Sequence, residues 1–332
     1  MIKLNTPRGL PVNVPETLNE DPSPRFLPSQ LAEIKAYFDE NGYVIVAKAL
    51  PAHICDKQRL LWEREVKPFD GFIYRQATAK AERHRFNDKG WVMNPILNLQ
   101  SVDPSLFPEF RQHATGSLFS SASLRDVFTA LLGSSPKIVQ SMYFEGNSAT
   151  WEHQDTYYLD SERIGEMIGS WIALEDIRPK AGRFFICPRS HHIRMEEHSA
   201  GNNIVDHHET YISSIVAEIR AKELQIRAPR LDKGDVLFWH SQTIHGSLDS
   251  QDPQTPRSSI TCHAISRGRK LLQLQTRLLD MVGDDVQGVE ICRPKDLAVL
   301  KNRLVFQMET RFPVLFHLAK RNVIRTMVWL KH

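Results

Sequence analysis

Cysteine is scarce in this chain, and the few that occur are far apart. Four of them, Cys55, Cys187, Cys262 and Cys292, are spread over 332 residues. None stands in a Cys-x-x-Cys pair, so neither a zinc site nor a disulfide framework is expected, and a reducing compartment is the simpler setting. Long apolar runs are lacking as well. No stretch reaches the roughly 18 apolar residues of a membrane-spanning helix. The N-terminal residues Met1 to Pro7 contain no apolar core of the kind that marks a secretory leader. A cytoplasmic protein without a transmembrane segment is expected. Charge of one sign is missing too. The formal net charge is +3 and the pI about 8.6, too mild to argue for nucleic acid but compatible with an anionic substrate. Internal repeats and low-complexity tracts are absent. What remains, 41% hydrophobic and 24% charged residues, is ordinary for a globular chain long enough for one large domain or two modest ones.

Residues 1–28 hold six prolines and little periodicity, and they read as an extended N-terminal arm. A helix is expected from about Ser29, with Leu31, Ile34 and Phe38 on one side and a stop at Asn41-Gly42. Tyr43 to Val46 follows as a strand, and Pro51 opens a second helix with Leu60, Leu61 and Trp62 on its buried face. Residues 66–116 mix aromatic, charged and turn residues and read as a long irregular segment, part of a pocket wall. A helix returns at about 121–132, with Gly133 just beyond it. From 137 the pattern changes to short β-like runs: Lys137 to Phe144, Ile168 to Leu174, Arg183 to Cys187, Val236 to Trp239 and Ser258 to Ile265. Turn residues separate most of them, which suggests a sandwich or barrel such as a jelly roll. A helical insert interrupts the strands at about 210–224. The division expected is an arm at 1–28, a main domain at 29–294 with its core at about 137–268, and a helical C-terminal extension at 295–332 in which Pro313 breaks or kinks the helix.

The chemistry centres on His153-Gln154-Asp155. On a strand, residues two apart share a face, so an imidazole and a carboxylate there can grip one divalent metal. The two-histidine, one-carboxylate triad of non-heme Fe(II) oxygenases needs this pair and one distant histidine. Among 14 histidines, His240, His245 and His263 lie on or beside later strands. His245 stands directly before Gly246, where a small neighbour allows close approach. Such a triad leaves coordination positions for a 2-oxo acid, whose far carboxylate calls for an arginine fork. Arg257 opens the strand after His245, with Ser259 on the same face. A solvated arginine at a loop end and a hydrogen-bonded core histidine are the plain alternatives.

The ordered set resembles the phytanoyl-CoA dioxygenase family. His153-Gln154-Asp155, Gly234 to His240 leading on to His245-Gly246-Ser247, and Arg257 carry the resemblance. Trp171 to Asp176, Gly182 to His191, Phe38 to Tyr43 and Gln140 to Met142 extend it, over about residues 30–268. The resemblance implies a mainly β chain with flanking helices, built on a double-stranded β-helix (jelly roll, cupin-like) core. It implies Fe(II) held by His153, Asp155 and His245, and 2-oxoglutarate held by Arg257 with Gln140, Met142, Trp171 and Ser247 nearby. The implied activity is that of a dioxygenase consuming O2 and 2-oxoglutarate, hydroxylating or otherwise oxidising an unactivated C–H bond with release of succinate and CO2. Asp155 argues against the family's halogenases, in which a small residue replaces the carboxylate. Ala181-Gly182-Arg183 and Arg189 depart from the family pattern beside the pocket and leave the substrate open. A non-catalytic jelly-roll sensor and a cupin-type metalloenzyme that does not use 2-oxoglutarate are the alternatives.

For the substrate, a small molecule, the candidates are Tyr157, Tyr158, Arg183 and His191. The two tyrosines line the pocket or pack in the core, and the basic residues meet an anionic group or are solvated. Residues Arg321 to Lys331 alternate apolar and basic positions, a pattern that suits an amphipathic helix on an oligomer partner, on the domain itself or on a membrane surface.

Overall fold

The computed structural model describes residues 1–146, 149–193, 195, 207–316 and 318. The N-terminal residues are extended and are paired. Strands β1 (Ile2–Asn5) and β2 (Pro11–Val14) form an antiparallel hairpin, and β3 (Arg25–Phe26) runs parallel to β4 (Tyr43–Val46). Between β3 and β4 lies helix α1 (Leu31–Asn41), whose buried apolar positions are Ile34 and Phe38. Burying each such side chain contributes about 1.5–3 kcal/mol. Gly42 ends the helix at φ 73°, a left-handed cap that glycine adopts without strain. A side chain at Gly42 would also collide with His191 and Thr243.

Helix α2 (Ala52–Leu61) starts after Pro51. Leu61 and Trp62 are buried, but Leu60 is exposed, contrary to the sequence expectation. The chain widens into a π turn over Trp62–Val66, and this turn brings Trp62 inward, leaving Leu60 on the solvent side. Residues 66–116 form two-residue strands and short helical turns. Phe69, Tyr74, Leu97 and Phe107 line an apolar cavity of about 90 Å3 there. Helix α3 (Ala122–Leu132) then packs Leu124, Val127 and Phe128 inward and ends at Gly133.

The strands that follow are β5 (Pro136–Phe144), β6 (Thr150–His153), β7 (Met167–Ala173), β8 (Phe184–Ile186), β9 (Val236–His240), β10 (His245–Ser247) and β11 (Ser259–Ser266). Helix α4 (His208–Ala221) is inserted between β8 and β9. The main sheet runs β5-β11-β7-β9-β4 through antiparallel neighbours. A smaller antiparallel sheet runs β8-β10-β6.

The two sheets face each other. Tyr43, Ile45, Trp171, Leu237 and Trp239 of the main sheet pack against Phe184 and Ile186 of the small one. The other face of the main sheet carries Val44, Val46, Ile172, Phe238 and Ile260, covered by Ile34, Phe38, Trp62 and Phe128 from the helices. Burial on both faces explains why Tyr43 to Val46 and Val236 to Trp239 read as continuous apolar runs rather than alternating ones. The architecture is a jelly roll with flanking helices. The back of the small sheet is covered by the N-terminal hairpin, where Val12 and Val14 meet Phe185 and Leu248.

Helix α5 (Leu300–Arg311) stops before Phe312-Pro313. It turns Glu309 inward, where the carboxylate accepts from the Tyr74 hydroxyl and the Ala81 N–H, and it leaves Leu300, Leu304 and Met308 exposed. The Arg321 to Lys331 segment lies outside the described residues. No described helix is long and apolar enough to cross a membrane.

Candidate metal centre

His153 ends β6 and His245 begins β10, and the two are direct partners across the small sheet. Asp155 is not on the strand with His153. It opens a 3-10 turn, Asp155–Tyr157, that curls back toward the main sheet. Strand alternation therefore does not place the carboxylate; the turn does. Buried Asp160 ties this region, accepting from the Thr156 and Ser241 hydroxyls and from the Gly165 and Ser161 N–H groups. Burial pushes its carboxyl up to about 6 against those bonds.

One donor atom each from His153, Asp155 and His245 lie within 4.8 Å of one another, a grouping of metal-ligand side chains found once among the described residues. Asp155 Oδ1 is 3.7 Å from His153 Nε2 and 3.6 Å from His245 Nε2. Each ring has its Nδ1 on a backbone carbonyl at 2.8 Å, Trp151 O for His153 and Thr243 O for His245. That contact fixes the tautomer and leaves the Nε2 lone pair facing inward, the arrangement a metal-bound imidazole needs. Burial, with the field of His153 beside it, pulls His245 down to about 3 and keeps it neutral. Burial opposes charge on Asp155 too, but the three neighbouring histidines outweigh it and hold the carboxyl well below the usual range. Two inward imidazoles and an ionised carboxylate fit a hard-to-borderline divalent ion such as Fe(II).

The other histidine candidates separate clearly. His240 points to the helical side, where its ring lies 5.4 Å from His191, and burial pulls it down to about 4. His263 lies behind the carboxylate, its Nε2 3.3 Å from Asp155 Oδ2.

Arg257 is buried. Its N–H donates to the Glu145 carbonyl and its Nη1 to the Gly182 carbonyl, at 2.7 and 2.6 Å. The guanidinium lies 5.5 Å from the Phe144 ring and 5.6 Å from Trp171, and burial lowers it to about 9, so it is still a cation at neutral pH. Strand register puts Gln140, Met142, Trp171 and Ser259 on the same inner face as His263. Ser259 donates its hydroxyl to the Arg257 carbonyl, and Ser247 Oγ accepts from the Thr150 N–H.

The substrate candidates divide. Tyr158 is half-buried beside His153, ring centroids 5.8 Å apart, with its hydroxyl 2.7 Å from His208 Nε2. Tyr157 instead stacks on Tyr211 at 3.7 Å within the core under α4. Arg183, expected to face substrate, is 1% exposed and donates to the Pro15 and Ile177 carbonyls, so it is a structural tie. His191 sits against α1, with Nε2 3.1 Å from the Asp39 carbonyl, outside the site. The sequence reading missed Trp239, whose indole donates to Asp155 Oδ2 at 2.7 Å. The signal for it is a tryptophan on an inward strand position, where its N–H must find a partner.

Comparison with known proteins gives the family and the fold. The family model for phytanoyl-CoA dioxygenase (PhyH) matches residues 38–258. The human peroxisomal phytanoyl-CoA dioxygenase is 21% identical over 271 residues, covering 77% of this chain and 75% of its own. The bovine phytanoyl-CoA dioxygenase domain-containing protein 1 is 31% identical over 140 residues, 39% of this chain and 45% of its own. Among solved structures, the epimerase SnoN, in complex with Fe3+, alpha ketoglutarate and nogalamycin RO, superposes with a TM-score of 0.56 at 16% identity, covering 80% of this chain and 96% of that one. EctD from S. alaskensis, with 2-oxoglutarate and 5-hydroxyectoine, gives a TM-score of 0.52 at 18% identity over 85% and 94%. The chain belongs to the phytanoyl-CoA dioxygenase family and is an Fe(II)- and 2-oxoglutarate-dependent dioxygenase that uses O2.

Proposed function

We propose that His153, Asp155 and His245 hold the Fe(II), that Arg257 anchors the far carboxylate of 2-oxoglutarate, and that the enzyme hydroxylates an unactivated C–H bond of a small organic substrate. The observation that carries this reading is the inward convergence of two carbonyl-tied imidazoles on one carboxylate. Bound iron supplies, with 2-oxoglutarate and O2, an oxidant able to take hydrogen from carbon, with succinate and CO2 as co-products.

The chain's own groups bind, orient and exclude water. A fully buried guanidinium is costly, and a carboxylate placed against its fork offsets that cost. Gln140, Met142, Trp171, Ser247 and Ser259 wall the path between Arg257 and the triad, so the co-substrate lies in one orientation. Tyr158, with His208 on its hydroxyl, stands at the more open side beside His153 and is the first group to meet substrate. The carboxylate of Asp155 occupies the position a halide would need, which favours oxygen insertion. The human relative is named for a CoA thioester, and the SnoN and EctD structures hold nogalamycin RO and 5-hydroxyectoine; a small organic substrate follows from them. The case for an anionic substrate weakens once Arg183 and His191 are tied to backbone. This reading assigns catalysis to residues 29–294, and four buried free cysteines suit the cytoplasm.

Anaerobic Fe(II) and 2-oxoglutarate are expected to give the weak visible charge-transfer band of the chelate, and air to give succinate. His153→Ala and Asp155→Ala lose both. Arg257→Ala keeps iron but needs at least tenfold more 2-oxoglutarate. A band that persists in His153→Ala defeats the assignment.

A further inference from the structure

Resting on that iron site, we propose that Trp239 and His263 are positioning residues that claim the second oxygen of Asp155 and leave the carboxylate one oxygen for the metal. The two oxygens have different surroundings. Oδ1 looks toward His153 and His245, at 3.7 and 3.6 Å. Oδ2 receives the Trp239 indole N–H at 2.7 Å and has His263 Nε2 at 3.3 Å. A carboxylate can grip a metal with both oxygens only by turning, and here turning breaks a charge-assisted hydrogen bond in a dry site.

The tryptophan is itself held. It is 1% exposed and packs against the Phe184 and His245 rings, each 5.0 Å away. It lies flat over Gly169, where a side chain would overlap the indole. His263 is 2% exposed, its Nε2 faces Oδ2, and its Nδ1 has no hydrogen-bond partner among the described residues. A buried imidazole in that state is costly unless it serves a neighbour, and the neighbour it faces is Oδ2. Two imidazoles and a one-oxygen carboxylate leave an octahedral ion three positions, two for the 2-oxo acid and one for O2. A carboxylate bound through both oxygens takes one of them away.

The test uses Mn(II) as probe, counting its exchangeable water ligands by pulsed electron paramagnetic resonance and titrating 2-oxoglutarate under nitrogen. Wild type is expected to show three waters. Trp239→Phe is expected to show two and to bind 2-oxoglutarate at least tenfold more weakly; His263→Phe shifts both readouts the same way and carries the test if Trp239→Phe does not fold. Tyr74→Phe, which loses a hydroxyl bond to Glu309 on helix α5, leaves both unchanged. Three waters and wild-type 2-oxoglutarate affinity in Trp239→Phe and His263→Phe overturn the positioning role alone, provided that Asp155→Ala has lost Mn(II). Wild-type Mn(II) binding by Asp155→Ala overturns the iron-site reading beneath it.

Discussion

His153 and His245 face each other as strand partners, ring centroids 4.3 Å apart, and each sets its Nδ1 on the carbonyl two residues earlier in the chain. The same local device, used on two antiparallel strands, aims both Nε2 atoms at one carboxylate. A site assembled by strand pairing is rigid before any ligand arrives, which is the condition for precise orientation.

Metal binding is therefore expected to stabilise the fold. A ligand at 100 times its dissociation constant adds about 2.7 kcal/mol, read as a rise in Tm that a chelator reverses. The rise should vanish in His245→Ala. If both His245→Ala and Asp155→Ala still show it, the metal sits elsewhere.

Acid should weaken the metal-free protein through three buried histidines, a loss that the raised Asp160 carboxyl, which takes up its proton more readily in the fold, offsets only in part. Burial lowers His84 and His240 to about 4 and His245 to about 3, from an ordinary value near 6.5. As pH falls from about 6.5 to about 4, the unfolded chain takes up protons that the folded chain refuses, so stability drops through that window and is level above it. Each group accounts for up to about 1.4 kcal/mol per pH unit. His240→Gln is expected to flatten the acid limb of a Tm-against-pH curve. An acid limb that keeps its slope in both His240→Gln and His84→Gln contradicts this account.

Gly169→Ala should cost about 1–3 kcal/mol by overpacking, because the new methyl displaces the Trp239 ring. Gly116→Ala, with open space at its α-carbon, is the control and should be near neutral. Equal Tm values for the two variants would remove the packing argument.

The hairpin behind the site contributes through Thr6. Its hydroxyl donates to the buried carboxylate of Glu152, the neighbour of His153. Thr6→Val strands that carboxylate and should destabilise by about 1–3 kcal/mol, while Thr6→Ser keeps the donor and most of the stability. Thermal melts of the two variants side by side decide; identical losses mean the hydroxyl is irrelevant.

Local signals were legible in the sequence. Asn41-Gly42 marks a helix end because only the left-handed cap suits it, and five of the strands announce themselves as apolar runs between turns. His153-Gln154-Asp155 was legible as a metal motif, but not the reason it works, since Asp155 sits on a turn and His153 meets His245 across strands. Those are contacts between distant residues, and periodicity carries no trace of them. The same holds for Arg183. A charged residue reads as solvent-facing, yet its fork is spent on the Pro15 and Ile177 carbonyls, partners that only folding brings near. Trp239 was read as one more apolar residue in a buried run, because sequence does not say where an indole N–H points.

The main sheet also sets a timetable for synthesis. β4, near the start, finds its antiparallel partner in β9, and β5 pairs with β11, so the sheet closes only after most of the chain has emerged. Pairings this distant fold slowly, because loop-closure entropy must be overcome before contacts compensate it. A nascent chain with His153 and Asp155 already made has no complete iron site until the β10 segment brings His245. During that interval the apolar strands stand unpaired, so production in cells should be limited by aggregation during folding rather than by iron supply.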